Sequence, residues 1–192
     1  MTKGISLRKK NEVQLTIKFT KKGNTMLNAM KIFSVNMDPV TNSPIIILKE
    51  IEGERTLLIW IGLLEATAIA SEMEGIKFSR PMTHDLLMNI INKANIEIGK
   101  IEIYDLKDNT YYAFIHLSKD KEQLTIDARP SDAIALAIRA KAPIFVSDEV
   151  IDKSKQIEDL KEGVPLDKSE KGKKWQDILE KLKPEDFGKY KM

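Results

Sequence analysis

Asp127-Ala128-Arg129-Pro130-Ser131-Asp132-Ala133-Ile134-Ala135-Leu136-Ala137 is the stretch that decides how this chain folds. Proline fixes its own φ, drives the residue before it towards an extended conformation and suits a first helical position. The segment therefore reads as a strand turning into a helix. Residues 131–140 are apolar or small almost all round, which predicts a helix buried on most sides. A near echo stands upstream, Arg80-Pro81-Met82-Thr83-His84-Asp85-Leu86-Leu87, and it too puts an arginine and an aspartate at the mouth of a helix. Backbone N–H groups at such ends favour anions, and a guanidinium can hold a phosphate bidentately. The same ends equally favour a structural cap, so one such unit alone carries no function.

Working outward, residues 30–35, 45–49 and 55–61 read as strands separated by turns at Asp38-Pro39 to Ser43-Pro44 and Glu52-Gly53, an antiparallel meander. Gly62 opens a helix that runs to Gly75, and the first Arg-Pro unit opens a second, with Leu86, Leu87, Ile90 and Ile91 on one side. Ile96 to Ile103, Tyr111 to Leu117 and Leu124 with Ile126 return to strand character, the first two joined at Asp108-Asn109, and Ile144 to Val146 make a last short strand. The fold class expected is α+β, a mixed, largely antiparallel sheet packed with helices, plus a C-terminal helical appendage. Residues 1–24 form a basic extension with an alternating stretch from Val13 to Phe19, residues 25–151 the main domain, and residues 152–192 a charged linker ending in an amphipathic helix around Trp175, Ile178, Leu179 and Leu182.

Charge is unevenly spread. The chain carries +2 overall, but residues 1–24 hold seven Lys/Arg against one acid, residues 25–151 thirteen against eighteen, and residues 152–192 eleven against ten. An acidic body argues against a broad nucleic-acid-binding face, since non-specific binding draws on phosphate neutralisation by Lys and Arg. Any phosphate recognition has to be local. With no cysteine there are no disulfides or thiolate metal sites. The apolar run from Leu57 to Leu64 is far shorter than the ~20 residues of a membrane span. A cytoplasmic protein without membrane association is expected.

Several residues have the chemistry for phosphate work. Carboxylates at Asp85, Asp127 and Asp132 can hold a divalent cation such as magnesium or manganese, and Arg80 and Arg129 can stabilise developing charge. Their structural alternative is capping and mutual pairing. His84 is a candidate acid or base, histidine being the side chain whose ordinary pKa lies nearest neutrality. Glu65, in a first helical turn, complements the helix dipole or joins the site. Ser131 lacks a G-x-S-x-G elbow and reads as a cap rather than a nucleophile. His116 reads as structural, on one strand face with Tyr112 and Phe114. No phosphate-binding glycine loop and no H-E-x-x-H occurs.

With these residues in hand, the chain resembles the bifunctional nuclease family. The matching stretches are Pro44 to Glu50, Leu58 to Gly62 with Glu65-Ala66, Arg80 to Leu87, Thr110 to Ala113, Asp127 to Ala137 and Ala142 to Val146. The resemblance covers about residues 30–151. It implies an α+β domain that forms a homodimer and cleaves both DNA and RNA, with Arg80, His84, Asp85, Asp127, Arg129, Ser131, Asp132 and Glu65 as the carried-over site. Two other readings stay open, a non-catalytic binding or regulatory dimer and a pocket for a small phosphorylated metabolite.

Overall fold

The computed structural model describes residues 26–39 and 41–161. The strand expected within residues 13–19 and the helix around Trp175 lie outside them. Seven strands and four helices follow one another as β1 (Leu27–Met37), β2 (Pro44–Glu50), β3 (Thr56–Trp60), α1 (Leu63–Met73), α2 (Thr83–Lys93), β4 (Glu97–Lys107), β5 (Thr110–Lys119), β6 (Glu122–Ala128), α3 (Pro130–Ala140), β7 (Ile144–Ser147) and α4 (Asp148–Lys161). The strands form one sheet in the order β3-β2-β1-β7-β4-β5-β6. It consists of two antiparallel meanders, β1 to β3 and β4 to β6, joined through β7, which runs antiparallel to β1 and parallel to β4. The α+β class is as the periodicities predict.

The second hairpin shows how directly sequence sets register. Lys107 pairs with Thr110, leaving Asp108 and Asn109 as a two-residue loop, and both have positive φ, 47° and 58°. Asp and Asn tolerate that left-handed conformation, which matches the twist of the flanking strands. Although three strands separate β3 from β4 in the sheet, the Tyr111 hydroxyl donates to the Leu58 carbonyl at 3.0 Å. The sheet is thus coiled enough to bring the β4–β5 turn against the end of β3.

Helix α3 supplies the centre of the core. Its residues Ala133 to Ala137 are buried against Ile101, Ile103, Ala113, Ile115 and Leu117 of β4 and β5, and the alanines let it lie close to the sheet. Helix α1 packs alongside it through Ala66 and Ile69. Helix α2 keeps its apolar residues on one side, but that side is not covered. None of its residues is fully buried, and Leu86, Leu87 and Ile90 are exposed. Periodicity establishes that these side chains share a side; it does not establish what covers that side.

Helix α4 crosses the expected domain boundary at residue 151. Val150, Ile151 and Ser154 are buried, and Asp148 at its start accepts from Arg55 and Asn28, both at 2.8 Å. Further along, Lys153 reaches Asp105 at 3.0 Å, and Lys107 approaches the other carboxylate oxygen at 2.7 Å. Hydrogen bonds from Lys107 and then Lys153 hold the Asp105 carboxyl down at about 2, from an ordinary 3.8. A depressed carboxylate stabilises the fold above its unfolded pKa, and that contribution is lost as pH falls through the folded value. Stability should therefore fall between about pH 4 and about pH 2, and less steeply in Asp105→Asn, as urea titrations across that range will show.

Candidate active site

Three helices begin at one place. Gly62 caps α1 and Glu65 is its third residue; Met82 caps α2 and His84 is its second; Arg129 caps α3 and Asp132 is its third. Arg129 joins them. Its Nε and one terminal nitrogen donate to the two oxygens of Asp132 at 2.7 and 3.2 Å, and the other terminal nitrogen donates to Glu65 Oε1 at 2.8 Å. His84 Nε2 lies 3.3 Å from Asp132 Oδ1. The sequence explains the placement of Arg129. Pro130 occupies the first position of α3 and Arg129 is extended at φ −68°, ψ 143°, so its side chain lies across the helix mouth. In the upstream unit Pro81 falls short of the first helical position, because Asp85 Oδ2 accepts the Met82 N–H at 3.0 Å and the turn closes there.

The electrostatics of the cluster are mixed. Burial alone would raise the Asp132 carboxyl, but hydrogen bonds from Arg129 and His84 outweigh it and hold the group below the ordinary carboxylate value. The Asp132 hydrogen bond, with Glu65 assisting, raises Arg129. Two carboxylates against one guanidinium leave an excess of negative charge, which the positive ends of three helices offset. A guanidinium has five N–H donors, and three are used here, so two remain. The Arg129 side chain is 66% exposed, so they are open to an incoming ligand. Gly62 is what lets Glu65 take part. A Cβ at Gly62 would collide with the Glu65 carboxylate, which folds back over the start of α1.

Beside the cluster is a cavity of about 360 Å³ between the end of β3, the β4–β5 turn and the start of α3. Trp60, Ile61 and Tyr111 give it apolar walls, Asn109, Thr110 and Ser131 give it polar ones, and Glu65 and Arg129 stand at its edge. Ser131 is 6% exposed, and among the described residues its hydroxyl forms no hydrogen bond; the cap of α3 has no side-chain bond at all. The expected capping role of Ser131 is therefore not what the structure shows.

The remaining predicted residues lie elsewhere. Asp85 pairs with Arg139 Nε at 2.6 Å rather than with Arg129, and Arg139 also donates to the carbonyls of Ala135 and Ala68 at 2.9 and 3.2 Å. At 7% exposure, the Arg139 side chain is a buried tie among α1, α2 and α3. Asp127 stands opposite Phe114 on β5, on the sheet face away from Ile115 and the helices, and interacts with the Tyr104 hydroxyl. Burial and then the Asp127 charge raise that tyrosine, whose ring stacks on Phe114 at 3.9 Å. Arg80 is exposed and outside the network. His116 bonds Glu102 at 3.1 Å on that same outer face, in keeping with a structural role. Among the described residues no three His, Asp or Glu side chains are placed to hold a metal ion together. The oxygens of Asp132 and Asp85 accept hydrogen bonds from arginine side chains, and Asp85 from backbone as well.

A family model, the bifunctional nuclease domain, matches residues 46–159, more than half of the chain and all of the cluster. This chain belongs to the bifunctional nuclease domain family. An uncharacterized protein of Mycobacterium tuberculosis is 30% identical over 164 residues, 84% of this chain and 98% of its relative. Bifunctional nuclease 1 of Arabidopsis thaliana is 31% identical over 108 residues, 54% of this chain and 33% of the plant protein. Bifunctional nuclease 2 of Oryza sativa is 30% identical over 115 residues, covering 58% and 35% respectively. The chain thus spans nearly the whole mycobacterial relative and about a third of the plant ones. No helix among the described residues is long and apolar enough to cross a membrane.

Proposed function

We propose that this protein hydrolyses phosphodiester bonds in nucleic acid, DNA and RNA alike, at the mouths of α1, α2 and α3. The observation that carries the reading is the contiguous chain His84, Asp132, Arg129, Glu65 with two guanidinium donors still open. With Nε2–H donated to Asp132, His84 keeps Nδ1 as an acceptor, and the carboxylate orients the ring as a base-orienting group does. A water would lose its proton to Nδ1 as its oxygen bonds to phosphorus. The opposite P–O bond breaks, and the proton passes on to the departing oxygen. The free donors of Arg129 and the first-turn N–H groups of α3 would stabilise the charge gathering on the non-bridging oxygens.

Exposure favours catalysis over a purely structural network. Exposed ion pairs contribute little to stability, and Arg129 is mostly exposed, so holding the helices together is a weak reason for its contacts. The Asp85–Arg139 pair does that instead. The acidic body of the chain fits a locally held substrate rather than one gripped along a broad face.

Purified full-length chain should cut labelled single-stranded DNA and RNA, assayed with magnesium or manganese and again with EDTA. Asp132→Asn should lower the rate by about 10²-fold, since it removes the orienting charge from His84 and one arm of Arg129. Absence of cleavage by the wild type under all these conditions would overturn the reading.

A homodimer is the assembly we propose. Leu124 and Ile126 pair with buried Leu117 and Ile115, so they lie on the helix-covered face, yet they are half-exposed on the edge strand β6. With Leu86, Leu87 and Ile90 of α2 they leave apolar surface on that side of the sheet, the kind that marks an interface. Light scattering should give twice the chain mass for the wild type and the chain mass for Ile90→Glu/Leu124→Glu. A monomeric wild type would contradict this.

A further inference from the structure

The cavity beside Arg129 takes no part in moving protons, yet it is walled by an indole and a phenol and opens at the site where a phosphate would sit. We propose that it receives one unpaired nucleobase of the substrate strand, whose own phosphate lies against Arg129 and the start of α3. This rests on the nuclease reading and adds to it a preference for single-stranded over duplex nucleic acid. At about 360 Å³ the cavity lies at the small end of ligand sites, room for a base with its sugar but not for a base pair in its helix. Trp60, Ile61 and Tyr111 offer apolar and aromatic contact of the kind that stacks bases without regard to sequence. Asn109, Thr110 and Ser131 supply donors and acceptors for a base edge or a sugar hydroxyl. The Ser131 hydroxyl points the same way. The residue as a whole is only 6% exposed and lines the cavity, and no protein group among the described residues hydrogen-bonds its hydroxyl. A base inside a duplex cannot reach such a pocket without leaving its stack, which costs binding energy that an already unpaired strand does not spend.

The probe is 2-aminopurine riboside 5′-monophosphate, which has no phosphodiester to cut, so its binding is read independently of cleavage. Titrated with full-length protein, its fluorescence should be quenched as the base stacks, and ribose 5-phosphate should compete poorly. Thr110→Phe, which fills the cavity from the β4–β5 turn, should weaken binding by roughly tenfold or more. Ser131→Ala, a smaller change that tests the same wall should the first variant not fold, should also weaken it. A single-stranded oligonucleotide should displace the probe better than its duplex. Binding without quenching, equal competition by ribose 5-phosphate, equal displacement by duplex, or unchanged affinity in both variants would each overturn the proposal. A chain that binds the probe in this way but cuts nothing would refute the nuclease reading and keep the pocket. A chain that cuts but does not bind the probe would do the reverse.

Discussion

Replacing Arg129 by alanine is expected to lower the rate of phosphodiester cleavage by about 10²- to 10³-fold while changing unfolding free energy by no more than about 1 kcal/mol. The two halves follow from one geometric fact. The guanidinium is held at three points by Glu65 and Asp132, which fixes its orientation, yet two-thirds of the side chain faces solvent. A fixed charge aimed where negative charge develops is worth far more to a transition state than an exposed ion pair is worth to a fold. Its removal also takes away the larger of the two hydrogen-bonding influences that hold the Asp132 carboxyl down, leaving His84 alone to oppose burial. Steady-state cleavage of a labelled oligonucleotide gives the first half and urea denaturation the second.

Arg139→Ala should behave in the opposite way, costing about 3 kcal/mol of stability. Typical domains have ~5–15 kcal/mol in total, so this is a large fraction. Arg139 is buried, and it binds a carbonyl of α1, a carbonyl of α3 and the aspartate that closes the first turn of α2. Removing it takes away the partner of Asp85 Oδ1 and the largest influence holding that carboxyl down against burial, leaving the Met82 N–H on Oδ2. The loss lies at the lower end for a buried pair because Asp85 is itself 31% exposed. Since the depressed Asp85 contributes stability only above its unfolded pKa, the gap between wild type and variant should narrow as pH falls below the ordinary carboxylate value of 3.8. The urea midpoint, with an unchanged m-value, is the quantity to follow.

These two arginines also show how far the sequence could be read. The Arg-Pro signature marks Arg129 because proline dictates backbone geometry locally, and local geometry survives into the fold. Nothing comparable marks Arg139, which stands in the last turn of α3 where a basic residue ordinarily complements the helix dipole; its hydrogen-bond partners come from elsewhere in the chain or from backbone. Sequence leaves Glu65 open between helix-dipole complement and site member for a similar reason. Its helix opens on Gly62 rather than on Arg-Pro, and only the fold brings that third mouth to the other two.

Asp127 illustrates a different limit. It lies five positions before Asp132, but on a strand whose side chains alternate, and with Ile126 facing the helices Asp127 has to face away. That parity was available from Leu124 and Ile126 once β6 was known to pair with β5. Trp60 and Tyr111 come together only because the coiled sheet carries the β4–β5 turn to the end of β3, a consequence of strand order that no local pattern encodes.

The proposed division of labour, with exposed Arg129 serving catalysis and buried Arg139 serving the fold, is best tested by single-turnover cleavage of a labelled single-stranded oligonucleotide. Arg129→Ala and Arg139→Ala should be measured side by side, at a temperature where both are folded. The expected result is a rate lowered by about 10²-fold or more in the first and largely retained per folded molecule in the second. Equal rates for wild type and Arg129→Ala, with the loss falling on Arg139→Ala alone, would contradict it.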